Sequence, residues 1–186
     1  PDELSRSGLD DWIAGLHQAK TRYFVALLER GGIPLRPGVA RLIHELRAAN
    51  IKIAIATTTS PENVIALLKS TLGEDSPDWF DVIGAGDIVP GKKPAPDIYL
   101  WVLEQLGLPA QHCIALEDSE NGLKAALAAG LDTVITVSDY TRGQDFSGAT
   151  LVLSDLGEPA QPFAVLAGNA HGRGWVDAGM LARLNG

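Results

Sequence analysis

What most constrains this chain is an alternation of two periods. Ile51-Lys52-Ile53-Ala54-Ile55-Ala56 reads as a β-branched strand. The residues after it carry a helix signal, with Ser60 suited to an N-cap, Pro61 to the first helical position, and Val64, Ile65, Leu67 and Leu68 forming one apolar face. The unit then recurs. Phe80-Asp81-Val82-Ile83-Gly84 precedes a helix from about Pro96 to Leu106 whose buried stripe is Ile98, Val102 and Leu106. Cys113-Ile114-Ala115-Leu116 precedes a helix marked by Leu123, Ala126, Leu127 and Gly130, and Thr133–Val137 and Thr150–Leu153 supply two more strands. Strands separated by helices of roughly 10–15 residues cannot pair as hairpins, so the pattern implies an α/β fold around a parallel sheet.

The two ends differ from this middle. Ile13, Leu16, Ala19, Tyr23, Ala26 and Leu27 have helical spacing, stopped by Gly31-Gly32. A second helix runs from Val39 through Leu42, Ile43 and Leu46 to Asn50. The organisation expected is an all-helical piece of another module at 1–33, a core at 34–156, and a Gly-, Ala- and Pro-rich tail at 157–186. The chain opens Pro1-Asp2-Glu3 without a methionine, which fits a segment with something upstream.

Composition removes several function classes. With 15 Lys and Arg against 23 Asp and Glu, the net charge of −8 disfavours a nucleic-acid binder, which needs clustered cations. No apolar run approaches the roughly 18 residues of a membrane helix. The one cysteine, Cys113, permits no intrachain disulfide, so a soluble protein of a reducing compartment such as the cytoplasm is expected.

In parallel sheets ligands bind beyond the carboxyl ends of the strands, and three clusters follow strands here. Thr57-Thr58-Thr59-Ser60 offers hydroxyls and N–H groups to an oxyanion, although helix capping alone accounts for Ser60. Gly91-Lys92-Lys93-Pro94-Ala95-Pro96-Asp97 is a proline-bounded turn that can aim a lysine at developing negative charge, or can be solvated surface. Glu117-Asp118-Ser119-Glu120 caps a helix equally well, but Glu117 sits at the sheet's end, where carboxylate oxygens suit Mg²⁺. Taken in order, the clusters are a phosphate donor, a charge neutraliser and metal ligands, an arrangement for phosphoryl chemistry.

That order resembles the haloacid dehalogenase-like superfamily. Ile53-Ala54-Ile55-Ala56-Thr57-Thr58 is similar to its second motif, Lys93-Pro94 within Gly91–Tyr99 to its third, and Leu116-Glu117-Asp118-Ser119 with Gly122 to its fourth. Within it the chain resembles the CbbY-like sugar-phosphate phosphatases, through His17-Gln18-Ala19-Lys20-Thr21, Ala56–Ser60, Ala85-Gly86-Asp87, Lys92-Lys93-Pro94 and Tyr140-Thr141-Arg142. The resemblance implies a Rossmann-like parallel sheet with part of an α-helical cap at 1–33. It also implies Mg²⁺-dependent removal of phosphate from a small phosphorylated sugar, such as xylulose 1,5-bisphosphate. Thr57 and Thr58 would bind the transferring phosphoryl group, Lys93 would neutralise it, Asp118 and Glu117 would hold Mg²⁺, and His17 and Lys20 would meet the distal phosphate.

One motif of the family has no counterpart. Its members begin with a strand ending in Asp-x-Asp-Gly, which carries the nucleophile, and no two aspartates here stand two positions apart. In the family that strand lies at the sheet's centre, between the strands at 51–56 and 113–116. Without it two rows of buried backbone groups lose their partners, at about 1–3 kcal/mol each, against a net stability of roughly 5–15 kcal/mol. The expectation is therefore that a preceding segment or a separate chain completes the sheet, that 51–56 and 113–116 do not pair directly, and that this chain alone is inactive. A sugar phosphomutase on the same scaffold and a non-catalytic phosphate- or metal-binding module are the alternatives.

Overall fold

Helical spacing becomes helix nearly where the sequence places it. The structure, a computed structural model, describes residues 6–29, 31 and 33–184. They fall into two compact units, those up to residue 34 together with 60–77, and those of 35–59 together with the described residues from 78 onward.

The first unit pairs α1 (Arg6–Glu29) with α3 (Pro61–Leu72). The Ser60 hydroxyl accepts from Asn63 N–H at 3.4 Å and Pro61 occupies the first turn, so the expected start of α3 is the observed one. Leu28, Val64 and Leu68 are buried. Trp12, Ile13, Leu16 and Tyr23 of α1 are exposed, so most of the helix's apolar stripe has no cover among the described residues. The sequence places α3 within the strand–helix core, whereas here it groups with α1.

The second unit holds the sheets. Its elements are α2 (Val39–Ala48), β1 (Ala54–Ala56), β2 (Val82–Gly84), α4 (Asp97–Leu106), β3 (Ile114–Glu117), α5 (Glu120–Ala128), β4 (Asp132–Thr136), β5 (Leu151–Leu153), β6 (Val165–Gly168) and α6 (Ala178–Leu184). β1 lies parallel to β2 with Ile55 opposite Ile83. A second sheet runs β3-β4-β5-β6, parallel except for β6. The core is made of Leu42, Val134, Leu151, Leu153, Val176 and Met180 on one side, and of Ile98, Ala115, Ala125 and Ala126 on the other. Arg36 donates to the carbonyls of Thr136 (3.0 Å) and Ser154 (2.6 Å) and to that of Val137, satisfying acceptors at the ends of β4 and β5.

Two expectations need correction. The strand at 51–56 shrinks to Ala54–Ala56, because Ile53 is bonded by Asp81 alone. The Asp81 carboxylate accepts from Ile53 N–H at 3.0 Å, and Asp81 N–H donates to Ile53 O at 2.9 Å. The tail after Gly157 is patterned after all. β6 adds to β5 in the antiparallel sense, Val176 N–H donates to Leu156 O at 2.8 Å, and Val176 and Met180 lie deep in the core.

No ladder joins β1 to β3 among the described residues. Each pairs on one side only, β1 with β2 and β3 with β4, as a strand lying between them requires. Between their free edges is a slot of about 650 Å³, lined by Ile51, Ala54, Leu103, Cys113, Ala115 and Leu181 among others. Leu116, expected on a buried strand, is 42% exposed beside it. At about 3.3 Å per residue, residues 51–56 flank a length that an extended segment of roughly six residues would match.

Candidate active site

The site is assembled at the carboxyl ends of β1 and β3, where Lys93 stands between them. The turn that carries Lys93 is closed by Asp97, whose carboxylate accepts from Gly91 N–H at 3.0 Å. The Lys93–Pro94 peptide is cis. Lys93 Nζ donates to Ala56 O at 3.0 Å, to the Tyr99 hydroxyl at 3.3 Å, and to Glu117 Oε1 in a short ion pair. The Lys93 and Glu117 side chains are only 15% and 7% exposed, so water screens this pair weakly. The neighbouring Lys92 is instead exposed and paired with Asp87, so of two adjacent lysines only one enters the site.

Glu117 is the hub. Its Oε1 accepts from both Lys93 and the Tyr99 hydroxyl, and its Oε2 accepts from Asp118 N–H at 3.2 Å. Burial, followed by the adjacent Glu117 charge, pushes the Tyr99 phenol well above the ordinary tyrosine range, so it stays a proton donor. Gly122, at the start of α5, is what lets the carboxylate lie there, since a Cβ at that position would fall on it. Ser119 caps α5 by accepting from Gly122 N–H at 3.1 Å, the structural role foreseen for it.

The predicted site residues separate accordingly. Lys93 and Glu117 come together, and Thr57 is joined to them through Ala56, its chain neighbour. Thr57 N–H prolongs the β1 ladder to Gly84 O at 2.8 Å, and its hydroxyl accepts from Thr59 N–H at 3.2 Å. Thr58 and Asp118 are exposed at the rim. Lys20 is exposed on α1 in the other unit, and the His17 side chain lies outside the described residues. Cys113 is half-buried, and burial raises its thiol pKa, in keeping with a packing role.

As a metal site the arrangement is partial. No group of three or more His, Cys, Asp or Glu converges among the described residues. Mg²⁺, however, is commonly held by one or two carboxylates together with substrate phosphate and water. Asp118 fits that description. Glu117 fits it less well, because Oε1 is already engaged by Lys93 and Tyr99.

Tyr99 is the residue that sequence reasoning passed over. It lies one position from the Ile98, Val102, Leu106 stripe, so it reads as core. The usable signal was a polar-tipped aromatic at the edge of that stripe, six positions after Lys93.

The sequence matches the haloacid dehalogenase-like hydrolase family over residues 4–130. The chain belongs to that family. It is 46% identical over 182 residues to the plasmid-encoded protein CbbY of Cupriavidus necator, a match covering 97% of this chain and 71% of the relative. Among solved structures it is similar to CbbY from Rhodobacter sphaeroides in complex with phosphate, with 50% identity and a TM-score of 0.74 over 77% of this chain and 64% of that one. A variant of the same protein in complex with xylulose-(1,5)bisphosphate gives 49% identity and a TM-score of 0.75, covering 80% and 67%. This haloacid dehalogenase-like chain is thus CbbY-like and has the parallel α/β fold of its relatives, spanning about two thirds of the length of those structures. No helix among the described residues is long and apolar enough to cross a membrane.

Proposed function

We propose that this chain is the larger part of a Mg²⁺-dependent phosphatase of a small phosphorylated sugar, with a sugar bisphosphate such as xylulose 1,5-bisphosphate as the substrate. The observation that carries the reading is the placement of Lys93, a nearly buried cation fixed between the last residue of β1 and the last residue of β3. A phosphoryl group arriving beside Thr57 meets that charge in a poorly screened setting, where one such group is worth about 3–4 kcal/mol of transition-state stabilisation. The complex of a CbbY relative with xylulose-(1,5)bisphosphate supports the choice of substrate class.

In this reading the tasks divide among the side chains. The Thr57 hydroxyl, with the turn's N–H groups, orients the phosphoryl oxygens. Lys93 neutralises their charge, and Glu117 keeps the ammonium aimed. Asp118 holds Mg²⁺ at the rim with help from Glu117, and bound Mg²⁺ supplies further charge neutralisation on the phosphate. The nucleophile comes from a strand outside these residues, which enters the slot between β1 and β3 from a preceding segment or a second chain. The 186-residue chain alone is therefore inactive.

The test is release of inorganic phosphate from xylulose 1,5-bisphosphate by the complete protein, with Mg²⁺ and again with a chelator. Release that requires Mg²⁺ is the expected result. Isomerised sugar phosphate without net release would mean a phosphomutase, and binding with no turnover would mean a non-catalytic module. Either of those outcomes refutes the reading.

A further inference from the structure

Tyr99 is a costly residue to bury without reason. A hydroxyl taken out of water is costly unless it is partnered, and a phenylalanine would fill the same space beside Ile98 and Val102. Its hydroxyl is partnered twice, accepting from Lys93 Nζ at 3.3 Å and donating to Glu117 Oε1. Its ring also contacts the lysine, with Nζ 4.7 Å from the ring centroid. An ammonium has three N–H donors. Those of Lys93 find three acceptors, namely Ala56 O, Glu117 Oε1 and the Tyr99 hydroxyl. Lysine is otherwise a flexible point charge on a four-carbon stem, and Tyr99 supplies the third support that takes this freedom away.

We propose that Tyr99 is a positioning residue for Lys93, its hydroxyl and ring together fixing the direction in which the ammonium faces the phosphate site. The proposal rests on the phosphatase reading only for its kinetic consequence, since the restraint on Lys93 exists in either case. Tyr99→Phe keeps the ring and the packing and removes one acceptor. A misaimed ammonium weakens the transition state more than ground-state binding, so kcat falls about tenfold while KM stays within about twofold. Because the two residues act as one unit, Lys93→Met combined with Tyr99→Phe is no slower than Lys93→Met alone.

The experiment is done on the complete protein with ¹⁵N-labelled lysine. A held ammonium exchanges its protons slowly enough to give a ¹H–¹⁵N cross-peak, identified as that of Lys93 by its loss in Lys93→Met. Tyr99→Phe is expected to broaden that peak away while far-UV circular dichroism is unchanged. The proposal is overturned if the wild type shows no such peak, if Tyr99→Phe leaves it intact, or if kcat is unchanged in an active enzyme. Should the wild type release no phosphate, the functional reading fails and the cross-peak alone decides the role of Tyr99.

Discussion

Gly122→Ala tests the geometry of the Glu117 hub through the sign of its effect. In an unobstructed helix, replacing glycine by alanine is stabilising by about 0.8–1.0 kcal/mol. Position 122 is obstructed. An added Cβ would lie 2.6 Å from Glu117 Oε1 and closer still to the rest of the carboxylate, which cannot retreat without leaving Lys93 and Tyr99. Hydrogen bonds to charged groups contribute about 1.5–3 kcal/mol each. Weakening two of them outweighs the helix gain and leaves the variant about 2 kcal/mol less stable. In a Glu117→Ala background the obstacle is absent, so the same substitution stabilises by up to about 1 kcal/mol. Urea unfolding of the complete protein, followed by circular dichroism for the wild type, both single variants and the double variant, gives a coupling near 3 kcal/mol. If Gly122→Ala raises stability equally in both backgrounds, the carboxylate is not seated against Gly122 and the hub is wrongly drawn.

Other consequences are quicker to check. Lys93→Met should lower phosphate release by a factor of about 10²–10³, whereas Lys92→Met, which removes only an exposed pair with Asp87, should stay within about threefold of wild type; equal losses would refute the separation of the two lysines. Met180→Ala should cost about 2–5 kcal/mol in urea unfolding, because Met180 is 2% exposed in the core, and a cost below 1 kcal/mol would mean that α6 is not docked. Cys113 lines the slot, so a thiol reagent should alkylate it in the 186-residue chain and not in the complete protein; equal labelling would argue against a strand filling the slot.

Much of the architecture was legible because it is written in local periods. Pro61 and Ser60 begin α3 as their chemistry dictates, and Ile98 and Val102 are buried as their spacing requires. What escaped was long-range. Nothing near Val165 announces an antiparallel partner at Leu151–Leu153, and Val176 and Met180 reveal themselves as core only when they meet Leu42 and Val134. In the site, Lys93 was readable only because its proline-bounded turn falls between the Thr57 and Glu117 clusters in an order that suits phosphoryl chemistry, while Tyr99 was hidden by being a plausible core residue. Glu117 was recognised as an acid at the sheet's end, but its partners lie 18 and 24 positions away along the chain, beyond any local pattern.

The slot between β1 and β3 also bears on how the chain can be rewired. Ala178, Leu181 and Ala182 of α6 form part of its wall, so the final helix runs beside the place where a strand belongs. A sheet recognises a strand by its edges, direction and side chains, not by its position in the gene. A strand tethered behind α6 by a short flexible linker therefore has access to the slot, which makes this fold a candidate for circular permutation. Its central strand could then be exchanged as a removable cassette while Lys93, Tyr99 and Glu117 stay in place.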